Sequence, residues 1–216
     1  MSVQMITYKN REEWLKGREK GIGGSDASCI LGLNPWKSNV ELFEEICGKP
    51  SVIKENDAMK YGTEAEKYLR ELFRLDYPQF DVYYEEFNSW TNDNYPFAKA
   101  SLDGWLTDKY GRKGIWECKT TEISSRTARE KWEDRIPDNY YCQLLHYFMV
   151  TEFDFAILKA QLKSRLQDGS ILLRTKHYTF ERKEVIEDIE WLTEKEQEFW
   201  EAVKQGKRPA LILPNI

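Results

Sequence analysis

Histidine is nearly missing from this sequence: His146 and His177 are the two among 216 residues. That argues against a histidine-rich metal centre, and any bound metal is expected to be a hard cation held by carboxylates. Cysteine is sparse too. Cys29, Cys47, Cys118 and Cys142 form no C-x-x-C pair, so neither a zinc knuckle nor a disulfide framework is indicated. No uninterrupted apolar run reaches the roughly 18 residues of a membrane span. The opening MSVQMITYKNREEW has no basic-then-apolar signal, and a cytoplasmic location is the default expectation. Repeats, low-complexity tracts and long linkers are absent as well.

What is present points to a packed globule. Hydrophobic residues make up 41% and aromatics 14%, and the length suits one well-cored domain over residues 1–216. The net charge of −5 speaks at first against nucleic acid, but its distribution softens the objection. Residues 181–201 carry a local −6, whereas 111–132 hold six bases against three acids. A locally basic face remains available, and several acids are candidates to hold cations.

Periodicity and punctuation give a coarse order of helices, three strands, helix, two strands, helix, hence an α+β class. Helices are expected over 9–20, over 39–47 (capped by Ser38 or Asn39 and stopped by Gly48 and Pro50) and from about Glu64 to Leu75. FDVYYEEFNSW, FAKASLDGWLT and GIWECKT read as an antiparallel meander. A helical stretch over 124–133 and 138–151 follows, then the strands DFAILKAQL and ILLRTKHYTF. The tail 182–204 is expected to be an amphipathic helix burying Val185, Ile189, Leu192, Phe199 and Val203, its acids forming a solvated outer face. The N-terminal helices thus cover 9–75, and the sheet with the candidate chemistry covers 79–180.

Two stretches carry candidate chemistry. In GIGGSDASCILGLNPWKS, residues 21–38, three glycines precede Ser25 and Asp26. Glycines permit close approach of backbone or positive φ, and Ser25 or Asp26 is placed to cap a short helix from Ala27 to Leu31. In SLDGWLTDKYGRKGIWECKT, Asp103 is expected at the end of one strand, before Gly104, and Glu117 and Lys119 follow in the next strand. Alternation puts Glu117 and Lys119 on one face, with Trp116 and Cys118 on the other. A hairpin brings Asp103 alongside them. Two carboxylates held together are costly without a cation, and Mg²⁺ accepts such a set, with the Cys118 carbonyl as a further oxygen ligand. A D…E-x-K pattern on a hairpin is also a common surface ion pair. Glu64 and Glu66 supply a third acid from the next helix upstream, where acids also favour the helix dipole.

Taken together, these motifs resemble those of the phage-type exonucleases of the YqaJ and lambda exonuclease group, within the PD-(D/E)xK superfamily. The resemblance spans about 11–150: R-x-x-G-I-G-G-S-D-A at Arg18–Ala27, then L-G-L-N-P-W, G-x-x-x-E at Gly62–Glu66, S-x-D-G at Ser101–Gly104, E-x-K at Glu117–Lys119 and Y-x-x-Q at Tyr140–Gln143. It implies a restriction-endonuclease-like core, with a mostly antiparallel or mixed sheet between helices. It implies that Glu66, Asp103 and Glu117 ligate one or two Mg²⁺ ions, for which Mn²⁺ substitutes, and that Lys119 and Gln143 attend the attacking water. Arg18 and Ser25 resemble a 5′-phosphate pocket, with Ser101, Trp36, Lys37 and Tyr140 as further DNA contacts. Asp26 is expected to turn away as a cap, and His146 to pack or cap locally. The implied activity is 5′→3′ digestion of double-stranded DNA ends, in a homotrimeric ring and with a single-strand annealing recombinase of phage or prophage origin. An endonuclease of the same superfamily and a non-catalytic DNA-end-binding module stay open as alternatives. A Cas4-like iron–sulfur enzyme is disfavoured by the cysteine spacing.

Overall fold

A computed structural model describes residues 2–19, 21–49 and 56–213. Its centre is a five-stranded mixed sheet in the order β3-β6-β7-β8-β9. The strands are β3 (Asp81–Tyr83), β6 (Gly104–Thr107), β7 (Lys113–Glu122), β8 (Phe155–Arg165) and β9 (Ile171–Glu181). β3, β6 and β7 are antiparallel neighbours, β7 and β8 run parallel, and β8 and β9 form an antiparallel hairpin. A parallel pair needs a crossover. Here it contains α5 (Arg126–Glu130) and α6 (Asp138–Thr151).

Strict alternation along β7 and β8 divides the core between the two faces of the sheet. Ile115, Ala156, Leu158 and Ala160 pack with α6, with α2 (Gly24–Ile30) and with α7 (Ile186–Lys204). Trp116, Cys118, Phe155 and Ile157 pack with Leu69 and Phe73 of α4 (Asp57–Asp76). Glu117 and Lys119 therefore sit on a strand packed on both faces. Among the described residues, no helix is long and apolar enough to cross a membrane.

Several expectations need correction. The helix expected from Glu64 starts seven residues earlier, at Asp57, because the Asn56 side chain accepts from the Met59 amide at 2.9 Å. Gly62 therefore lies within α4, where it lets the helix approach β7: a Cβ there would meet Thr120 Oγ1 at 3.3 Å. The expected meander is interrupted. β3 stops at Tyr83, and beyond Phe87, with φ 56°, β4 (Asn88–Asn92) pairs with β1 (Val3–Thr7) instead. β5 (Ala98–Lys99) pairs in parallel with β2 (Ile22–Gly23), inside the glycine-rich stretch. Residues 9–75 thus contain strand as well as helix.

The first two helices are shorter than or close to expectation. α1 covers Arg11–Arg18, capped by Asn10, and Lys20 lies outside the described residues. α3 covers Asn39–Ile46, with Ser38 and Glu41 bonding reciprocally; Gly48 follows at φ 98°, and Pro50 lies outside the described residues. The acidic tail helix α7 is not solvated at every acid. Glu196 falls on the buried stripe between Leu192 and Phe199 and is fully buried.

Candidate active site

Asp103 stands one residue ahead of β6, not at the end of a preceding strand. Gly104 pairs with Trp116, and the Cys118 amide donates to Asp103 Oδ2 at 3.0 Å. The hairpin thus brings Asp103 to the centre of β7 as its register requires. Glu117 is 1% exposed. Its Oε1 accepts from Lys119 Nζ at 2.6 Å and from Gln143 Nε2 at 3.1 Å, while its Oε2 is buried without a hydrogen-bond partner. Glu66 reaches the group from α4, with Oε1 accepting from Arg70 Nη1 at 2.9 Å. Glu64 is exposed.

The electrostatics of the group are those of crowded anions. Burial, reinforced by Asp103, pushes the Glu117 carboxyl up to about 8. Burial and Asp103 push Glu66 up to about 7 against the opposing Arg70 bond and charge. Burial lowers Lys119, but Glu117 and Asp103 outweigh it and raise the group, so it is a firmly held cation and a donor. Among the described residues, no three carboxylate, thiol or imidazole groups already converge as a ligand set. The donor chemistry nevertheless fits a hard divalent cation. The oxygens are hard, the anions repel one another, and one buried Glu117 oxygen lacks a donor. The Cys118 carbonyl lies on the same strand.

Gln143 and Tyr140 both lie on α6. The Gln143 amide also donates to the Tyr147 hydroxyl at 2.7 Å, which in turn donates to the Ser101 carbonyl at 2.9 Å. Ser101 is thereby joined to this network through its backbone. Tyr140 packs on Trp132 and presents its ring 5.0 Å from Lys119 Nζ. Tyr147 escaped the sequence reading, although its place four residues after Gln143 on a helix was a usable signal.

The glycine-rich stretch abuts this network. A Cβ on Gly24 would meet Tyr147 Cε1 at 2.4 Å and Gln143 Cγ at 3.1 Å. Gly24→Ala is expected to displace both side chains at a cost of about 1–3 kcal/mol, lowering Tm by about 2–12 °C at roughly 2–4 °C per kcal/mol. A thermal melt equal to wild type would show that the ring yields freely.

Helix α2 begins at Gly24, three residues before the expected start, and neither Ser25 nor Asp26 is its N-cap. Asp26 accepts from the Gly23 amide at 3.0 Å. Ser25 is exposed, and Arg18 lies close by, with Nη2 3.8 Å from where a Gly23 Cβ would stand. The Arg18 guanidinium also covers the Trp14 ring at 4.6 Å. Trp36 is 73% exposed. Lys37 is not an open phosphate contact: Nζ is 2.6 Å from Glu45 and 3.8 Å from Asp26. His146 packs internally, as expected, against Glu196 and the Lys99 carbonyl. A cleft of about 610 Å³ is lined by Asp134, Ile136, Tyr141, Tyr178 and Phe180, none of them a sequence-selected residue. Chemistry, not concavity, locates the site at Glu117.

Comparison with known proteins agrees with this architecture. The alkaline exonuclease LHK-Exo from Laribacter hongkongensis has a TM-score of 0.61 at 19% identity, covering 91% of this chain and 96% of that one. A phage related exonuclease from Haemophilus somnus 129PT has a TM-score of 0.59 at 15% identity, covering 86% and 96%. At these identities the likeness establishes the fold. The uncharacterized protein YqaJ of Bacillus subtilis (strain 168) is 32% identical over 208 residues, or 94% of this chain, which spans 59% of that relative's length. The YqaJ-like viral recombinase domain model matches residues 13–154. With most of its length accounted for in this way, the chain belongs to the YqaJ-like viral recombinase domain family.

Proposed function

We propose that this chain is a Mg²⁺-dependent nuclease that digests linear double-stranded DNA from its 5′ ends, leaving 3′ single strands. The observation that carries the proposal is the buried Glu117 carboxylate, bonded to Lys119 through one oxygen and unbonded at the other, on the strand whose Cys118 amide binds Asp103. The Glu66, Asp103 and Glu117 side chains and the Cys118 carbonyl are assigned to hold Mg²⁺, or Mn²⁺ in its place. When bound, the ion supplies an acidified water and positive charge against the phosphate oxygens.

The remaining work belongs to side chains of this chain. Lys119, kept cationic by Glu117, donates to the attacking water or a phosphate oxygen. Gln143, oriented by Tyr147, fixes the approach of that water. Water adds to phosphorus as the P–O3′ bond breaks, releasing a 5′-mononucleotide. The new DNA end again bears a 5′ phosphate. Recognition of that phosphate is assigned to Arg18 and the Ser25 hydroxyl, with exposed Trp36 as a base-stacking contact. The names of the two exonucleases with this fold accord with such an activity.

The test compares linear duplex bearing 5′ phosphate, linear duplex bearing 5′ hydroxyl, and closed circular DNA. Mg²⁺-dependent loss of the phosphorylated linear form alone is expected; cutting of the circle would instead identify an endonuclease. Arg18→Ala removes a charge-assisted contact of about 1.5–3 kcal/mol. It is therefore expected to slow digestion of phosphorylated ends by about tenfold or more. Equal wild-type rates on phosphate and hydroxyl ends would remove the case for an end pocket. A homotrimeric ring around DNA and action with a single-strand annealing recombinase belong to the same proposal. A solution mass of three chains is expected, and a monomer would contradict the ring.

A further inference from the structure

Arg70 is 4% exposed and has no part in the roles assigned above. Its Nη1 donates both to Glu66 Oε1 at 2.9 Å and to the Asp103 carbonyl at 2.7 Å. One nitrogen thereby joins α4 to the turn that opens β6, across 33 positions of sequence. The guanidinium lies on the Tyr84 ring, 3.6 Å from its centroid, with Trp116 at 6.0 Å. Stacking fixes a planar cation and so directs its in-plane donors. Gly104 keeps room for this arrangement. A Cβ there would meet the Tyr83 carbonyl at 3.0 Å, Trp116 Cε3 at 3.4 Å and Arg70 Cδ at 3.5 Å. The glycine of S-x-D-G is thus accounted for by close packing around the arginine and tryptophan.

We propose that Arg70 is a positioning residue that sets the relative placement of Glu66 and Asp103 for a shared divalent cation. It acts through those two residues and does not touch the substrate. This rests on the metal assignment made under Proposed function. Charge and geometry make opposite demands here. A guanidinium beside a divalent ion repels it, so an arginine that contributed only charge would weaken metal binding, and its removal would tighten it. An arginine that holds two ligands in place strengthens binding, and its removal weakens it.

Calorimetric titration of Mn²⁺ into DNA-free protein separates the two, using wild type, Arg70→Met and Arg70→Lys. Arg70→Met keeps much of the volume and loses the charge; Arg70→Lys keeps the charge and loses the stacked fork. Weaker Mn²⁺ binding by about tenfold in both variants is expected, with kcat reduced and KM for duplex within about twofold of wild type. Tighter or unchanged Mn²⁺ binding in Arg70→Met, or full rescue by Arg70→Lys, overturns the proposal. If the Arg70 variants fail to fold, Tyr84→Leu removes the stacking surface while leaving the arginine. About threefold weaker Mn²⁺ binding is then expected, and wild-type affinity would be contrary. Wild-type protein that takes up no Mn²⁺ would refute the metal assignment itself, whereas wild-type uptake with unaltered variants refutes only the role of Arg70.

Discussion

Lys119→Ala is expected to lower the single-turnover rate of duplex hydrolysis by about 10²–10⁴, the range typical of a lost proton-handling or charge-stabilising group. Binding of DNA ends stays near wild type. The expectation follows from the connections of the lysine. Its ammonium is 2.6 Å from Glu117 Oε1 and lies over the Tyr140 ring, with no other acidic side chain among the described residues in salt-bridge contact. It is half-buried on a central strand, so its charge acts locally and is weakly screened. Arg18, Ser25 and Trp36 lie on other elements and are untouched by the change. End-labelled linear duplex gives the rate, and fluorescence anisotropy without Mg²⁺ gives the affinity. Hydrolysis within tenfold of wild type would remove Lys119 from the chemistry.

His146→Ala is expected to destabilise the fold by about 3–5 kcal/mol, because it strands a buried carboxylate. That corresponds to a fall in Tm of about 6–20 °C at roughly 2–4 °C per kcal/mol. Both partners are 0% exposed. Nδ1 lies 2.8 and 3.0 Å from the two Glu196 oxygens, and Nε2 lies 2.9 Å from the Lys99 carbonyl. Both ring nitrogens therefore face acceptors, which only the imidazolium satisfies with two donors. Burial alone would lower the histidine pKa, but Glu196, the Lys99 carbonyl and Asp26 outweigh it and raise it above 6.5. A raised folded-state value means that stability from this proton is fully present below the unfolded pKa of about 6.5 and is lost as pH climbs through the higher folded value. The Tm difference between wild type and His146→Ala should therefore be largest in mild acid and should shrink on the alkaline side. A difference that is absent, or that widens with pH, would contradict the pairing.

The parts of the site that were legible in sequence are those governed by local periodicity. Alternation along β7 places Glu117 and Lys119 on one face, and the Asp103–Cys118 bond shows the hairpin register acting as expected. The ordered motifs led to Gln143 on the following helix. What escaped was set by tertiary packing that identity alone conceals. Glu196 occupies a stripe of helical period but was counted with the solvated acids because of its charge. Arg70, four residues after Glu66, carries no motif signal, and only the fold reveals its bond to the Asp103 carbonyl. Gly62, two residues ahead of the helix start expected at Glu64, lies inside α4, where its lack of a side chain serves the approach to β7. Lys37, expected as a DNA contact, is held instead by Glu45, eight residues on.

Crystals soaked in MnCl₂ and measured at the manganese absorption edge test the central claim most directly. Chelation of Mn²⁺ by Glu66, Asp103 and Glu117 predicts an anomalous peak among their oxygens beside Lys119, and its loss in Asp103→Asn. A peak seated elsewhere, or none at saturating manganese, would mean that these acids gather for some purpose other than phosphodiester cleavage.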